Sequence, residues 1–250
     1  MSVESSGRWG QLAVPGGEPG PEAYVVRPAG AVLGSVVVCA ELYGVNEYVR
    51  GICARLAEAG YAALAPDYYW RQARRPQFAY TPEGREDGLA LMQRLDRDEL
   101  LADATLALAA ARELAPDRGT AFLGLSLGGH IALRAATALR FELAAVLYPG
   151  WSLNCGFPLV GPTPPIEQSN SIADNGVFVL GLVGELDHII PQEEWQAVER
   201  RLTAAGVPHE LVSYPGAGHG FATEDRPADY RPTAGADAWR KIHDALGQHL

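Results

Sequence analysis

The sequence predicts an α/β protein, with a mostly parallel central sheet and helices on both faces. Two observations carry that prediction. Short β-branched runs alternate with longer segments of helical periodicity along most of the 250 residues. Several of the runs are apolar almost throughout instead of alternating with polar residues, as strands covered on both faces should be. Alternation of this kind implies right-handed crossovers and ligand binding beyond the carboxyl ends of the strands.

The elements follow in order. Residues 1–22 are rich in glycine and proline and read as an irregular N-terminal segment. "SVVVCAEL" (35–42) is the first buried strand. "NEYVRGICARLAEAG" (46–60) is a helix, with Tyr48, Ile52, Leu56 and Ala57 on one face, Asn46 as N-cap and Gly60 where a terminating glycine belongs. "YAALAPDYY" is a strand, and 84–114 is helix, broken or bent near Asp96. "GTAFLGLS" (119–126) is a strand and "LGGHIALRAATAL" a helix. "LAAVLYPG", "GVFVLGLVGELD" and "HELVSYPGAG" are three further strands, with helices over 191–205 and 235–250. The one long irregular stretch is 151–175, a candidate lid or binding loop. One domain over 1–250 is the expected organisation.

Composition narrows the partners. Apolar residues make up 48% and charged residues 20%, as in ordinary globular proteins. The net charge of −10 is spread along the chain, which argues against nucleic acid or an anionic membrane as partner. Cys39, Cys53 and Cys155 are few and widely spaced, so neither a disulfide framework nor a zinc site is expected. The N-terminus lacks the basic start and apolar core of a signal peptide, and no apolar run spans a bilayer. A cytoplasmic protein, monomeric or a small homo-oligomer, is the expectation.

Chemistry concentrates in "FLGLSLGGH" (122–130). Gly124-x-Ser126-x-Gly128 has the pattern of a nucleophile elbow, a tight strand-to-helix turn that lifts a side chain above the sheet. Glycines suit it because the turn is strained and neighbouring Cβ atoms would collide. The helix N-terminus beside Ser126 favours developing negative charge, and the Leu127 N–H can serve as an oxyanion donor. Serine needs a base, and the base an orienting acid. Asp187 in "GELDHIIP" and His219 in "SYPGAGHGF" follow in the order Ser, Asp, His, each just past a predicted strand. Glu185 is the weaker alternative acid. His130 is expected to pack or bond locally, and His188 to point away from the acid.

Taken together, "AELYGVNEYVR" (40–50), "GYAALAPDYY", "GLSLGGHIAL", "GELDHIIP" and "YPGAGHGF" resemble the dienelactone hydrolase family of the α/β-hydrolase fold. The resemblance runs from about Val25 to the end. It implies an α/β-hydrolase fold and a catalytic set of Ser126, Asp187 and His219. It makes Glu41 the family's active-site glutamate, Leu42 the second oxyanion donor, and Arg85 the first of two arginines that clamp a substrate carboxylate. Buried Glu41 needs a partner, with Arg85 or Ser126 the candidates.

The chain departs from the pattern at three places. The founding enzymes have cysteine where Ser126 stands. Thr223 occupies the place of the second arginine, and Leu89 that of a tyrosine. Arg71, Arg74, Arg75 or Arg226 are available to compensate, or are surface charges. Tyr68, Tyr69, Trp70 and Trp151 near strand ends suggest a partly aromatic pocket. The implied activity is hydrolysis of a small-molecule ester or lactone through an acyl-enzyme, with no metal or organic cofactor. An acyltransferase, cyclase or thioesterase on the same scaffold is the alternative, and a non-catalytic binding protein the rival from another class.

Overall fold

The computed structural model describes residues 7–14, 16–153, 157, 159 and 161–250; Cys155 lies outside them. Eight strands form one sheet in the order β1-β2-β4-β3-β5-β6-β7-β8. The outer pair, β1 (Arg8–Gln11) and β2 (Glu22–Val26), runs antiparallel, and β2 meets β4 (Tyr61–Pro66) antiparallel as well. The remainder is parallel: β3 (Gly34–Cys39), β4, β5 (Thr120–Leu125), β6 (Leu143–Leu147), β7 (Phe178–Gly184) and β8 (His209–Tyr214). Every residue of β3, β4, β5 and β6 is buried, which explains why these runs show no polar alternation.

The helices begin and end where local chemistry directs. Helix α1 (Glu47–Glu58) starts at Asn46, whose side chain accepts the Val49 N–H, and Gly60 follows with φ +95°. The expected break near Asp96 separates α2 (Pro82–Met92) from α3 (Arg97–Leu114). Asp96 caps the second by accepting the N–H groups of Asp98 and Glu99. Helix α4 (Leu127–Ala136) leaves β5 directly, and α6 (Gln192–Ala205) joins β7 to β8. Helix α7 (Pro232–His249) closes the chain.

Two expectations are corrected. Segment 1–22 is not irregular throughout, since it holds β1 and the first residue of β2; an exposed four-residue edge strand has no apolar signature to read. Segment 151–175 is not one long loop, because a 3-10 turn (Pro165–Gln168) and α5 (Ser169–Asn175) close it. Buried Ile166 and Ile172 anchor them, and Gly176 ends α5 at φ +71°. Among the described residues no helix is long and apolar enough to cross a membrane.

Strand order decides where chemistry can occur. From β3 the chain turns to β4 on one side, then crosses back to β5 on the other. The crevice between the carboxyl ends of β3 and β5 is therefore the topological switch point, the usual ligand site of such sheets. Glu41 follows β3, and Ser126 follows β5.

Candidate active site

Ser126 sits between β5 and α4 with φ +52° and ψ −110°, a left-handed backbone that costs a non-glycine residue about 1–3 kcal/mol. The flanking glycines make that turn possible. A Cβ on Gly124 would collide with the Gly128 carbonyl, and one on Gly128 with the Cys39 carbonyl at the end of β3. Ser126 makes no side-chain cap to α4, and its Oγ instead lies 2.9 Å from Nε2 of His219. The opposite ring nitrogen, Nδ1, donates to Oδ2 of Asp187 at 2.9 Å. Oδ1 of Asp187 accepts the N–H groups of Ile189 and Ile190 at 2.8 and 3.2 Å, which holds the carboxylate in place. Because the carboxylate accepts at Nδ1, Nε2 is left as the acceptor facing the serine hydroxyl.

Ser126, Asp187 and His219 are all buried. The Tyr148 ring meets His219 edge-on with centroids 5.0 Å apart, and its hydroxyl pairs with Thr223 at 2.9 Å. Glu185 accepts the Gly216 N–H instead, so the acid beside the imidazole is Asp187.

The amides named from the sequence lie on the two segments that follow β3 and β5. The Leu42 N–H has no protein acceptor among the described residues. Leu127 opens α4, so its N–H is one of the four that an α-helix leaves without an internal partner. Contact of Gly128 with the backbone of Cys39 and Ala40 draws the two segments together, and Tyr69 donates to the Leu42 carbonyl at 3.1 Å.

Glu41 is buried, but the partners expected for it are corrected. Neither Arg85 nor Ser126 binds its carboxylate. Tyr80 donates to Oε1 at 2.6 Å while accepting from Asn46, and Arg226 approaches Oε2 at 3.9 Å. Burial pushes the Glu41 carboxyl above its ordinary range, against the Tyr80 hydrogen bond and the Arg226 charge.

A cavity of about 270 Å³ opens over Ser126 and His219. Arg85 lines it and forms no ion pair among the described residues. Arg226 lines it too, folded over Gly220 and paired with Asp229 at 2.6 Å. The other arginines considered lie elsewhere, Arg71 on Asp103 and Arg74 and Arg75 on Glu22. Leu42, Tyr43, Leu89, Trp151, Phe157 and Ile189 supply most of the apolar wall. Of the aromatic residues expected near strand ends, only Trp151 reaches the cavity. Tyr68 and Tyr69 are buried, and Trp70 donates to Asp103. His188, expected to point away from the acid, lines the cavity, with its ring centroid 6.0 Å from that of His219. Among the described residues no cluster of three or more histidine, cysteine or carboxylate groups could hold a metal.

His130 packs locally, as expected. It is buried one turn into α4 and donates from Nδ1 to the Trp151 carbonyl at 3.3 Å. Burial, with the Arg134 charge beside it, pushes its pKa down to about 3. A histidine held neutral in the fold stabilises it fully above the unfolded value near 6.5, and that stability drains away as pH falls toward 3. The loss of stability from pH 7 to pH 5 should therefore be smaller in His130→Gln by about 2 kcal/mol. Urea unfolding of both proteins at the two pH values reads this directly. Burial also raises Asp67 to about 6, which acts in the opposite sense but is common to both proteins.

Fold and site together define an α/β-hydrolase. Residues 22–250 match the model of the dienelactone hydrolase family, and the chain belongs to that family. A Synechocystis sp. protein named "Putative carboxymethylenebutenolidase" is 34% identical over 220 residues, 86% of each chain. The Rhodococcus opacus protein "Carboxymethylenebutenolidase" is 27% identical over 247 residues, 96% of this chain and 90% of that one. Among solved structures, a "Putative Dienelactone Hydrolase" from Klebsiella pneumoniae superposes with a TM-score of 0.82 at 28% identity. That match covers 98% of this chain and all (100%) of the other.

Proposed function

We propose that this member of the family is a serine hydrolase of small esters or lactones. The observation that carries the reading is the chain of two 2.9 Å contacts from Ser126 through His219 to Asp187, opening on the cavity. Ser126 Oγ attacks the substrate carbonyl carbon while its proton passes to Nε2 of His219. The oxyanion is held by the N–H groups of Leu42 and Leu127, each worth about 3 kcal/mol in the transition state. The bond to the leaving oxygen then breaks, and His219 gives that oxygen the proton. In a lactone this oxygen stays tethered to the acyl group. Water, deprotonated by the same imidazole, attacks the acyl-enzyme; Ser126 recovers its proton and the acid departs. Asp187 keeps the proton on Nδ1 and stabilises the imidazolium formed at each transfer.

Glu41 and Tyr80 position Arg226, and Arg85, unpaired among the described residues, supplies a cation for an anionic substituent. The names of the relatives point to a lactone as the bond cleaved. An organophosphonate tests the reading. Activity against simple esters should fall in a bimolecular reaction, with the adduct on the peptide holding Ser126. Intact mass after full inactivation, or an adduct on another residue, would overturn it.

A further inference from the structure

The walls of the cavity carry more than the chemistry of ester cleavage requires. At the end of β6 the chain passes through Tyr148 at φ +40° and Trp151 at φ +54°. Bulky residues seldom adopt this left-handed region, and they hold it only where the surroundings impose it. Here they do. The Tyr148 N–H donates to the Leu182 carbonyl at 2.7 Å, and Ser152 Oγ to that of Pro149 at 3.0 Å. His130 holds the Trp151 carbonyl from within α4. The strained backbone delivers the indole to the cavity, where it meets Phe157 edge-on with centroids 4.8 Å apart.

Both rings are only partly buried, so an apolar aromatic surface remains uncovered inside a small cavity that also contains Ser126. Leu89 and Ile189 line the same space. Covering such a surface with a flat apolar group removes it from water and adds the edge-on or stacked geometry that aromatic pairs prefer. The cavity is slightly below the ~300 Å³ at which drug-sized pockets begin, which suits one ring and an ester and little more.

We infer that Trp151 and Phe157 form a subsite for a flat aromatic ring carried by the substrate, making them specificity-determining residues. The inference rests on the hydrolase reading for its substrate and on the rings alone for its selectivity. It is tested with ethyl acetate, ethyl phenylacetate and benzyl acetate, which carry no ring, a ring on the acyl side and a ring on the alcohol side. In Trp151→Ala, kcat/KM for at least one ring-bearing ester should fall relative to ethyl acetate by about tenfold. Trp151→Phe should restore that ratio, and Phe157→Leu should lower it in the same sense. Equal losses for all three esters, or unchanged ratios, would overturn the subsite.

A second arm needs no turnover. Calorimetric titration of Ser126→Ala should show a ring-bearing ester binding at least tenfold tighter than ethyl acetate, with the preference gone once Trp151→Ala is added. Equal affinities would overturn the subsite whatever the kinetics. Should the wild-type protein cleave none of the three esters and take up no organophosphonate at Ser126, the hydrolase reading fails and the titration alone decides the subsite.

Discussion

Ser126→Ala is expected to lower kcat for ester cleavage by ~10⁴–10⁶-fold while leaving the fold as stable as before. The rate falls because the only atom removed is the hydroxyl oxygen 2.9 Å from His219, and water cannot reproduce its placement. Stability holds because alanine inherits the same left-handed backbone, and the hydroxyl caps no helix. Residual turnover above the uncatalysed rate should survive, since the amides of Leu42 and Leu127 and the cavity remain. His219→Ala should fall to a similar level, and the double variant no further, because the two groups act as one unit. Steady-state kinetics on purified variants, with thermal unfolding beside them, reads all of this. Turnover by Ser126→Ala near that of the wild type would remove serine from the mechanism.

The parts of this site that were legible in the sequence are those fixed by local chemistry. A buried parallel strand must be apolar on both faces, and the residues just past its end are held at one rim of the sheet. Ser126, Asp187 and His219 could thus be placed together from order and strand position alone. What escaped was contact between segments without periodicity. Tyr80 lies in the connection between β4 and α2, and nothing in its neighbourhood foretells a bond to Glu41, 39 residues earlier. Arg226 looked like a surface charge, but a run of turns brings it back over Gly220, where φ +77° and the absence of a Cβ leave room for the guanidinium. Strand β1 was missed because an exposed edge is not selected for apolar residues, and α5 because "SNSIADN" favours turns until Ile172 is buried. The place of His188 in the cavity wall could not be read from its adjacency to Asp187. Asp187 turns inward to His219, yet the loop that follows returns the next side chain to the cavity.

Gly128→Ala is the second large effect expected, and its sign depends on two opposed terms. Within the first turn of α4, glycine to alanine should help the helix by up to ~1 kcal/mol. Against that, the new methyl would meet the carbonyl oxygen of Cys39, with the Ala40 oxygen close behind. These are backbone atoms, of the last residue of a buried strand and of the residue directly after it, so neither can swing aside as a flexible side chain would. Overpacking against rigid neighbours costs about 1–3 kcal/mol and more when backbone must move, so the clash wins. A net loss near 3 kcal/mol lowers Tm by roughly 6–12 °C in a chain of this size. Gly51→Ala is the matched control: it lies in the middle of α1, and a methyl there meets nothing within 4 Å. It should gain about 0.5–1 kcal/mol. Activity should separate the two as well. Moving the end of β3 displaces Glu41 and the Leu42 amide from Ser126, so Gly128→Ala should lose kcat even below its melting point, whereas Gly51→Ala keeps it. If Gly128→Ala melts with the wild type and turns over normally, the close approach of β3 to the start of α4 is not as described, and the proposed pairing of the Leu42 and Leu127 amides around one oxyanion goes with it.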